Sequence, residues 1–189
     1  VLWGEKSQSL LKMSEAQIAR AGIGRKFQRP TVFEDQSVAD NLTMALRANR
    51  NPFSVLGWRP SRASAARVAA LASEVGLAAQ ITRKAGELSH GQQRRLEVGM
   101  AMAARPRVIL LDEPTSGMGI DDIEAMKQLI RDLGRDHTVL FIEHNMGIVM
   151  NISDMVTVMR LGRKLVEGPP AVVREDPEVQ RRSEEHTSE

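Results

Sequence analysis

Two short apolar runs, each followed by charged side chains, constrain the fold of this chain more than any other feature. The first run, residues 108–111, leads into Asp112-Glu113-Pro114, and the second, residues 139–142, leads into Glu143-His144. Neither run alternates polar with apolar residues, which is typical of strands buried on both faces of a parallel sheet. We therefore predict an α/β fold in which both strands lie in the core and place ligand-binding side chains at their carboxyl ends.

Helical periodicity fills the intervals around these strands. The predicted helices are residues 14–21, 37–48, 63–75, a stretch from the segment at 88–92 to residue 104, residues 121–133, and a short last helix after Pro169-Pro170. Ser14, with Gln17 three residues on, and Ser37 are the predicted N-caps of the first two. The further strand predictions are residues 25–30, which run into a loop, and a hairpin of residues 155–159 and 164–166.

The segment Leu88-Ser89-His90-Gly91-Gln92 lies at the predicted start of the helix that precedes the first apolar run. The first N–H groups of a helix have no partner within the helix and carry a partial positive charge, which suits phosphate. The Ser89 hydroxyl is predicted to point to the same place, and Gly91, which has no Cβ, lets the backbone approach closely. Alone, this pattern is typical of an ordinary capped helix, so its meaning depends on the segments that follow.

In their order and spacing, these segments resemble the nucleotide-binding domain of ABC-type ATPases, from the first residues to about Val179. Residues 88–92 resemble the signature motif, and we call them the signature segment. Asp112-Glu113 resembles the end of the Walker B strand, His144 the switch histidine and Gln28 the Q-loop glutamine. The resemblance implies a P-loop NTPase-type parallel sheet with a helical subdomain insertion, and ATP and Mg²⁺ as cofactors.

The same resemblance implies a role for each of these residues. Asp112 and Gln28 would hold Mg²⁺, and Glu113 would act as the general base that polarises the attacking water. His144 would contact the γ-phosphate, so Glu113 and His144 are the catalytic candidates. The other cofactor-binding candidates, which would face the γ-phosphate of ATP on the second subunit of a dimer, are Ser89, His90, Gly91 and Gln92.

Residues 22–34 narrow the resemblance, since they are similar to the ATPases of urea importers within the branched-chain amino-acid importer group, and residues 14–19 fit the same group. The implied function is the ATP-binding subunit of an importer that drives uptake of urea or branched-chain amino acids. Its implied partners are a second ATPase subunit, identical or paralogous, transmembrane permease subunits and, indirectly, a periplasmic solute-binding protein. The implied location is the cytoplasmic face of the inner (plasma) membrane. The alternatives are a lipopolysaccharide-export ATPase and a soluble ABC-type ATPase of DNA repair or translation.

The sequence departs from the family pattern in two places. The string G-x-x-x-x-G-K-[ST], whose backbone cradles phosphates, does not occur, so we expect a Walker A segment upstream in a longer parent and no activity from this chain alone. The loop after Walker B reads Ser116-Gly117-Met118-Gly119 where the family usually has Ser-Gly-Leu-Asp, so communication between two ATP sites is expected to differ. The predicted division is 1–36 for the remaining ATPase core with the Q-loop, 37–87 for the helical subdomain, 88–181 for the core with the other motifs, and 182–189 for a tail that matches a translated sequencing adapter.

Composition argues against several other classes. The 26 Lys and Arg residues nearly balance the 24 Asp and Glu residues and form no dense basic stripe, which argues against a dedicated nucleic-acid binder. With no cysteine, the chain has neither a disulfide framework nor a thiolate metal site. No apolar run approaches the roughly twenty residues that span a bilayer, so any membrane contact is expected to go through a partner.

Overall fold

The computed structural model describes residues 13, 14, 17, 23–25, 32–48 and 62–180. These residues fall into two compact units, the first ending at Phe141 and the second beginning at Ile142. The predictions for Gln28, for most of residues 14–21 and for the tail 182–189 lie outside the described residues. No helix within the described ranges is long and apolar enough to cross a membrane.

The first unit alternates helices with strands. The regular elements described in it are, in chain order, β1 (Ile23–Arg25), α1 (Val38–Ala48), α2 (Arg62–Glu74), α3 (His90–Met102), β2 (Val108–Asp112), α4 (Ile120–Leu133) and β3 (Thr138–Ile142), whose last residue opens the second unit. Single 3₁₀ turns at Ala78–Gln80 and Ala85–Glu87 lie between α2 and α3. Four of the five helices predicted for this unit are confirmed, and their ends shift by one or two residues at most. Most of the fifth, residues 14–21, lies outside the described residues.

The three strands form one sheet in the order β1-β2-β3. β1 and β2 run parallel, with Ile23 opposite Val108 and Arg25 opposite Leu110. A parallel pair needs a long crossover connection, which the helical segment between these two strands supplies. The α/β prediction is therefore confirmed. β1 begins before the strand predicted at residues 25–30 and shares Arg25 with it, and residues 26–30 lie outside the described residues. Pairing with β2 outweighs the weak strand propensity of Gly24, which the sequence pattern indicated as a break.

The two apolar runs differ in burial. In β2, Ile109 and Leu111 are buried, whereas the residues between and beside them are half-buried, so the predicted burial holds fully for one face of the strand and partly for the other. In β3, Leu140 and Ile142 keep 60% and 64% of their surface exposed, so the prediction of burial on both faces is wrong for this strand. An apolar run of this length is compatible with a buried strand, but it does not show which elements cover each face.

Helices α1, α2 and α3 pack against one another around a shared apolar core. Fully buried side chains in this core include Leu42 of α1, Leu71 of α2 and Leu96 of α3. A Cβ on Gly99 of α3 would lie 3.1 Å from Val75 and 3.2 Å from Leu42, so a glycine lets α3 approach its neighbours this closely. The helical periodicity of these segments places apolar residues such as Val38 and Leu42 of α1, and Val68 and Leu71 of α2, on the faces that form this core.

Two predicted serine caps are confirmed. The Ser14 N–H donates to Gln17 Oε1 at 2.8 Å, and the Gln17 N–H donates to Ser14 Oγ at 3.4 Å. At the start of α1, the Asp40 N–H donates to Ser37 Oγ at 3.1 Å and the Ser37 hydroxyl donates to Asp40 Oδ2 at 2.6 Å. Such reciprocal contacts satisfy backbone donors that the helix itself leaves unpaired.

A buried asparagine fixes the loop before α1. The fully buried Asn41 accepts the Phe33 N–H at 2.8 Å through Oδ1, and its Nδ2 donates to the carbonyls of Phe33 at 3.1 Å and Ser37 at 2.9 Å. The Val38 N–H, at the first position of α1, donates to the Arg83 carbonyl at 3.0 Å. The start of α1 is therefore tied both to the preceding loop and to the segment that leads into α3.

The second unit is a hairpin flanked by two short helices. Its elements are α5 (Met146–Ile152), β4 (Val156–Arg160), β5 (Arg163–Gly168) and α6 (Pro170–Glu175). β4 and β5 pair antiparallel, which confirms the predicted hairpin, and their turn places Leu161 and Gly162 at φ +46° and +75°. The sequence pattern did not predict α5, which follows an Asn145 N-cap whose Oδ1 accepts the Ile148 N–H at 3.2 Å.

Candidate functional site

The signature segment forms the start of α3, as predicted. Ser89 is the N-cap: its Oγ accepts the Gln92 N–H at 3.2 Å, and Gln92 Oε1 accepts the Ser89 N–H at 3.1 Å. This capping box satisfies two of the donors at the helix start. The hydrogen bonds of the described residues leave the N–H groups of His90 and Gly91 without an acceptor, so these are the donors that an anion would bind.

An aspartate from a different helix completes the cap. The Ser89 hydroxyl donates to Asp122 Oδ2 at 3.3 Å, across a separation of 33 residues. Asp122 lies in the first turn of α4, and its Oδ1 forms an ion pair with Arg95 Nη2 at 3.5 Å. An ionised carboxylate only accepts hydrogen bonds, so the single hydroxyl proton of Ser89 goes to Asp122. The start of α3 is thereby joined to the start of α4.

Gly91 is what allows α4 to approach α3 at this point. A Cβ built on Gly91 would overlap the carboxyl group of Asp122, and Gly91 itself is buried. The contact that requires glycine here is therefore one with Asp122 of the same chain. Close approach of the backbone to a phosphate, the reason for this glycine that the sequence indicates, stays a prediction.

His90 connects the signature segment to the loop after β2. A Cβ on Gly117 would lie 3.5 Å from His90 Nε2 and 3.6 Å from its Cδ2, so the imidazole lies against this glycine. Gly117 has φ +72°, a conformation that side chains other than glycine rarely adopt. The loop that stands where the family usually has Ser-Gly-Leu-Asp therefore lies beside the signature segment.

Asp112 and Glu113 lie at the end of β2, as predicted. Asp112 is the last residue of the strand and is half-buried, whereas Glu113 is exposed. Glu113 has φ +44°, in the left-handed region that costs an L-residue about 1–2 kcal/mol. A tight turn follows, in which the Ser116 N–H donates to the Glu113 carbonyl at 3.3 Å. Backbone strain of this kind concentrates at functional sites, and the spacing of the motif did not reveal it.

Two of the predicted site residues, His144 and Gln28, remain to be located. His144 follows β3 in the second unit, where its side chain is exposed. Gln28 is outside the described residues. The structure therefore brings the signature segment together with the loop after Glu113, while the roles of His144 and Gln28 stay predictions.

The carboxylate ligands available at this site suit a magnesium ion that binds together with a nucleotide. In the described ranges, no three side chains of His, Asp or Glu form a cluster that would hold a metal by themselves. Mg²⁺ keeps several waters and needs only one or two carboxylates when substrate phosphates supply other ligands. Asp112, at the carboxyl end of the middle strand, fits that requirement, and the N–H groups of His90 and Gly91 fit a phosphate.

Comparisons with known proteins identify the family. The ABC transporter family model matches residues 3–116. This chain belongs to the ABC transporter family. BraF from Pseudomonas aeruginosa, a high-affinity branched-chain amino acid transport ATP-binding protein, is 39% identical over 171 residues, which cover 86% of this chain and 67% of that protein. LivG from Escherichia coli strain K12, which has the same description, is 36% identical over 183 residues, or 92% of this chain and 72% of that protein.

Solved structures of ABC transporter components share the fold. The ADP conformation of an ATP-binding cassette of an ABC transporter matches with a TM-score of 0.75 and 28% identity, over 88% of this chain and 69% of that one. A nucleotide-free ATP-binding cassette matches with a TM-score of 0.70 and 27% identity, over 87% and 69%. The predicted P-loop NTPase-type α/β fold of the ABC ATPases is therefore confirmed.

Asp122 and Arg95 are the residues of this site that the sequence-based prediction missed. The visible signal was the pair Asp121-Asp122 in the first turn of α4. Acidic residues at a helix start are explained by the helix macrodipole alone, so the pair gave no reason to expect a second role. Arg95, whose side chain is 14% exposed, was one of two adjacent arginines on α3. Only the packing of α3 against α4 distinguishes these two side chains.

Proposed function

We propose that this chain is the ATP-binding subunit of an ABC importer for branched-chain amino acids or urea. The observation that carries this proposal is the 36% and 39% identity to two branched-chain amino acid transport ATP-binding proteins over most of the chain. The proposal includes urea as a candidate solute because residues 22–34 resemble the ATPases of urea importers. Two such subunits, identical or paralogous, would close around ATP at the cytoplasmic face of the inner membrane. Their closure would drive uptake through a membrane permease that receives its solute from a periplasmic binding protein.

Glu113 is the proposed general base. Its carboxylate would accept a proton from the water that attacks the γ-phosphorus of ATP, while the bond between that phosphorus and the ADP oxygen breaks. The exposed side chain and strained backbone of Glu113 support this role. Asp112 and Gln28 are the proposed ligands of Mg²⁺, which would neutralise charge on the phosphates. His144 is the proposed contact to the γ-phosphate.

The signature segment is the proposed donor group for the γ-phosphate of ATP held by a second subunit. Support comes from the start of α3, where the Ser89 hydroxyl and the N–H groups of His90 and Gly91 belong to one helix end. The partial positive charge of a helix start favours phosphate. Each hydrolytic centre would then need Glu113 from one subunit and Ser89 from the other, so hydrolysis would depend on the dimer.

Residues 37–87 are the proposed helical subdomain, inserted between core segments 1–36 and 88–181. Support comes from the packing of α1 against α2 and from the hydrogen bond between the Val38 N–H and the Arg83 carbonyl, which ties the two ends of this segment to each other. In an importer, the subdomain would carry the closure of the ATP sites to the permease.

Glu113→Gln in the full-length subunit tests the proposed chemistry. Here the full-length subunit is this chain together with the expected Walker A segment. The amide does not accept the proton, so Mg-ATP turnover should fall by at least about 100-fold while ATP binding remains. Phosphate release and the binding of a fluorescent ATP analogue measure the two effects. Glu175→Gln is the matched control, because Glu175 is an exposed carboxylate at the end of α6, and it should keep wild-type turnover.

Normal turnover in Glu113→Gln would overturn the assignment of the general base. The 189-residue chain alone is expected to show no turnover, because its sequence lacks the phosphate-cradling string. For the solute, vesicles that contain the full-length subunit and its permease, with the solute-binding protein supplied on the side opposite to ATP, should accumulate labelled leucine or labelled urea only when ATP is supplied. ATP turnover without uptake of either solute would contradict the assignment as an importer, but it would still support the assignment as an ATPase.

A further inference from the structure

Asp122 places a carboxylate over the start of α3, where the proposed function places a phosphate. Its Oδ2 accepts the Ser89 hydroxyl at 3.3 Å, and its Oδ1 pairs with Arg95 Nη2 at 3.5 Å. Its side chain also fills the space beside Gly91 that a Cβ would need. A carboxylate and a phosphate are both stabilised by the partial positive charge of a helix start. The two anions would therefore draw on the same donors.

The Ser89 hydroxyl has only one proton to donate. It accepts the Gln92 N–H at 3.2 Å and gives its own proton to Asp122 at 3.3 Å. A phosphate oxygen, like an ionised carboxylate, offers only lone pairs, so Ser89 binds it only after turning its proton away from Asp122. Rotation about the Cβ–Oγ bond is enough for this change, because the oxygen stays in place as the acceptor for Gln92.

Arg95 allows this exchange without leaving the carboxylate unpaired. Its Nη2 pairs with Asp122, and its Nη1 would lie 3.1 Å from a Cβ on Gly76, so the guanidinium is held between the turn after α2 and the first turn of α4. Leaving a partly buried charge without a partner is costly. Asp122 would keep its ion pair with Arg95 after the Ser89 hydroxyl has turned away.

We propose that Asp122 is a positioning residue that competes with nucleotide for the Ser89 hydroxyl, an inference that rests on the proposed function. Without nucleotide, Asp122 holds the hydroxyl and fixes the signature segment against α4. When the γ-phosphate of ATP on the second subunit arrives, Ser89 moves its hydrogen bond from the carboxylate to the phosphate, and Arg95 retains Asp122. This internal competition raises the ATP concentration that the subunit needs for turnover.

Asp122→Asn in the full-length subunit tests the competition. The amide keeps the shape beside Gly91, but it has no charge and its oxygen is a weaker acceptor, so the half-saturating ATP concentration should fall about fivefold while kcat changes little. A residue that only stabilised the fold would give the opposite sign, because loss of the ion pair with Arg95 would loosen the signature segment and weaken ATP binding. Steady-state ATPase curves give both parameters.

Two further variants isolate the hydroxyl from general charge effects. Asp121→Asn removes an exposed carboxylate from the same first turn of α4 and should leave the half-saturating ATP concentration unchanged. In a Ser89→Ala background, Asp122→Asn should give no further decrease, because the shared hydroxyl is gone. A fivefold decrease in that background, or an unchanged or increased ATP requirement in Asp122→Asn alone, would overturn the proposal.

Dimer formation gives a readout that does not depend on turnover. In a Glu113→Gln background, Asp122→Asn should lower the ATP concentration at which sedimentation shows the dimer, again by about fivefold. If the wild-type subunit neither hydrolyses ATP nor forms a dimer in the presence of ATP, both the proposed function and the proposed competition would be overturned. Normal wild-type turnover with no effect of Asp122→Asn would overturn only the competition.

Discussion

Helices α1 and α3 begin with the same kind of serine cap, but the two caps have different partners. At α1, Ser37 donates to Asp40, three residues along the same helix, at 2.6 Å. At α3, Ser89 donates to Asp122, which is 33 residues away on α4, at 3.3 Å. The first cap organises one helix end, whereas the second joins the signature segment to another element. A cap whose acceptor lies on a different helix is able to respond to changes outside its own helix.

Ser89→Ala and Ser37→Ala, made separately in the full-length subunit, should give the largest difference between the two caps. Each variant loses a cap, so each should lower the free energy of unfolding by about 0.5–2 kcal/mol. Only Ser89→Ala should also lower turnover, by about 10- to 100-fold, because a hydrogen bond to a charged group contributes about 1.5–3 kcal/mol. Urea denaturation and phosphate release measure the two effects. Equal turnover losses would show that both caps serve only the fold.

Gly91→Ala tests whether the second cap depends on close contact between α3 and α4. The new Cβ would overlap Asp122, so the overpacked variant should be destabilised by about 1–3 kcal/mol in thermal or urea unfolding. Gly119→Ala is the control, because a Cβ there would meet no described atom within 4 Å and the residue has φ −72°. Its unfolding free energy should change by less than about 0.5 kcal/mol.

The double variant Gly91→Ala with Asp122→Gly sharpens the same test. A Cβ on Gly91 would overlap the Cβ of Asp122 as well as its carboxyl group, so only removal of the whole side chain makes room, and the pair should then be more stable than the sum of the two single effects predicts. Strict additivity would mean that Gly91 and Asp122 do not touch, and the second cap would then resemble the first.

The local parts of the molecule were predictable because their causes are local. The caps at Ser37 and Ser89 follow from a serine with a suitable side chain three residues on. The hairpin of β4 and β5 follows from two short strand patterns around Leu161-Gly162. Asp112 and Glu113 were placed correctly because an apolar run fixes the end of its own strand.

The features that the sequence did not reveal depend on packing between distant segments. The contact from Ser89 to Asp122 exists only because α3 and α4 lie side by side. The exposure of Leu140 depends on which elements cover β3, and the φ of +44° at Glu113 depends on the turn that follows β2. The sequence therefore indicated which side chains are proposed to carry the chemistry, but not which side chains contact and position them.

The hairpin of the second unit offers a reference for the contact at Ser89. Thr157 Oγ1 donates to Glu167 Oε2 at 3.3 Å, and Lys164 Nζ donates to the same oxygen at 3.1 Å. As at Asp122, a hydroxyl and a cation share one carboxylate, but here all three belong to one hairpin. The hydrogen bond and the charge of Lys164, followed by the Thr157 hydroxyl, lower the pKa of Glu167 from its ordinary value of 4.5.

Of the substitutions proposed, Lys164→Gln should have the smallest effect on the stability of the fold, and it should have no effect on nucleotide binding. Because the pKa of Glu167 is lower in the folded chain, its contribution to stability is complete above about pH 4.5 and is lost as the pH falls through the folded value. The substitution removes the largest cause, so a carbon-13 NMR titration should show the pKa of Glu167 rising, with little change in unfolding because exposed ion pairs are screened. A lowered ATP requirement in Lys164→Gln would mean that hydroxyl–carboxylate–cation groups affect nucleotide binding wherever they occur, and Asp122 would lose its special role.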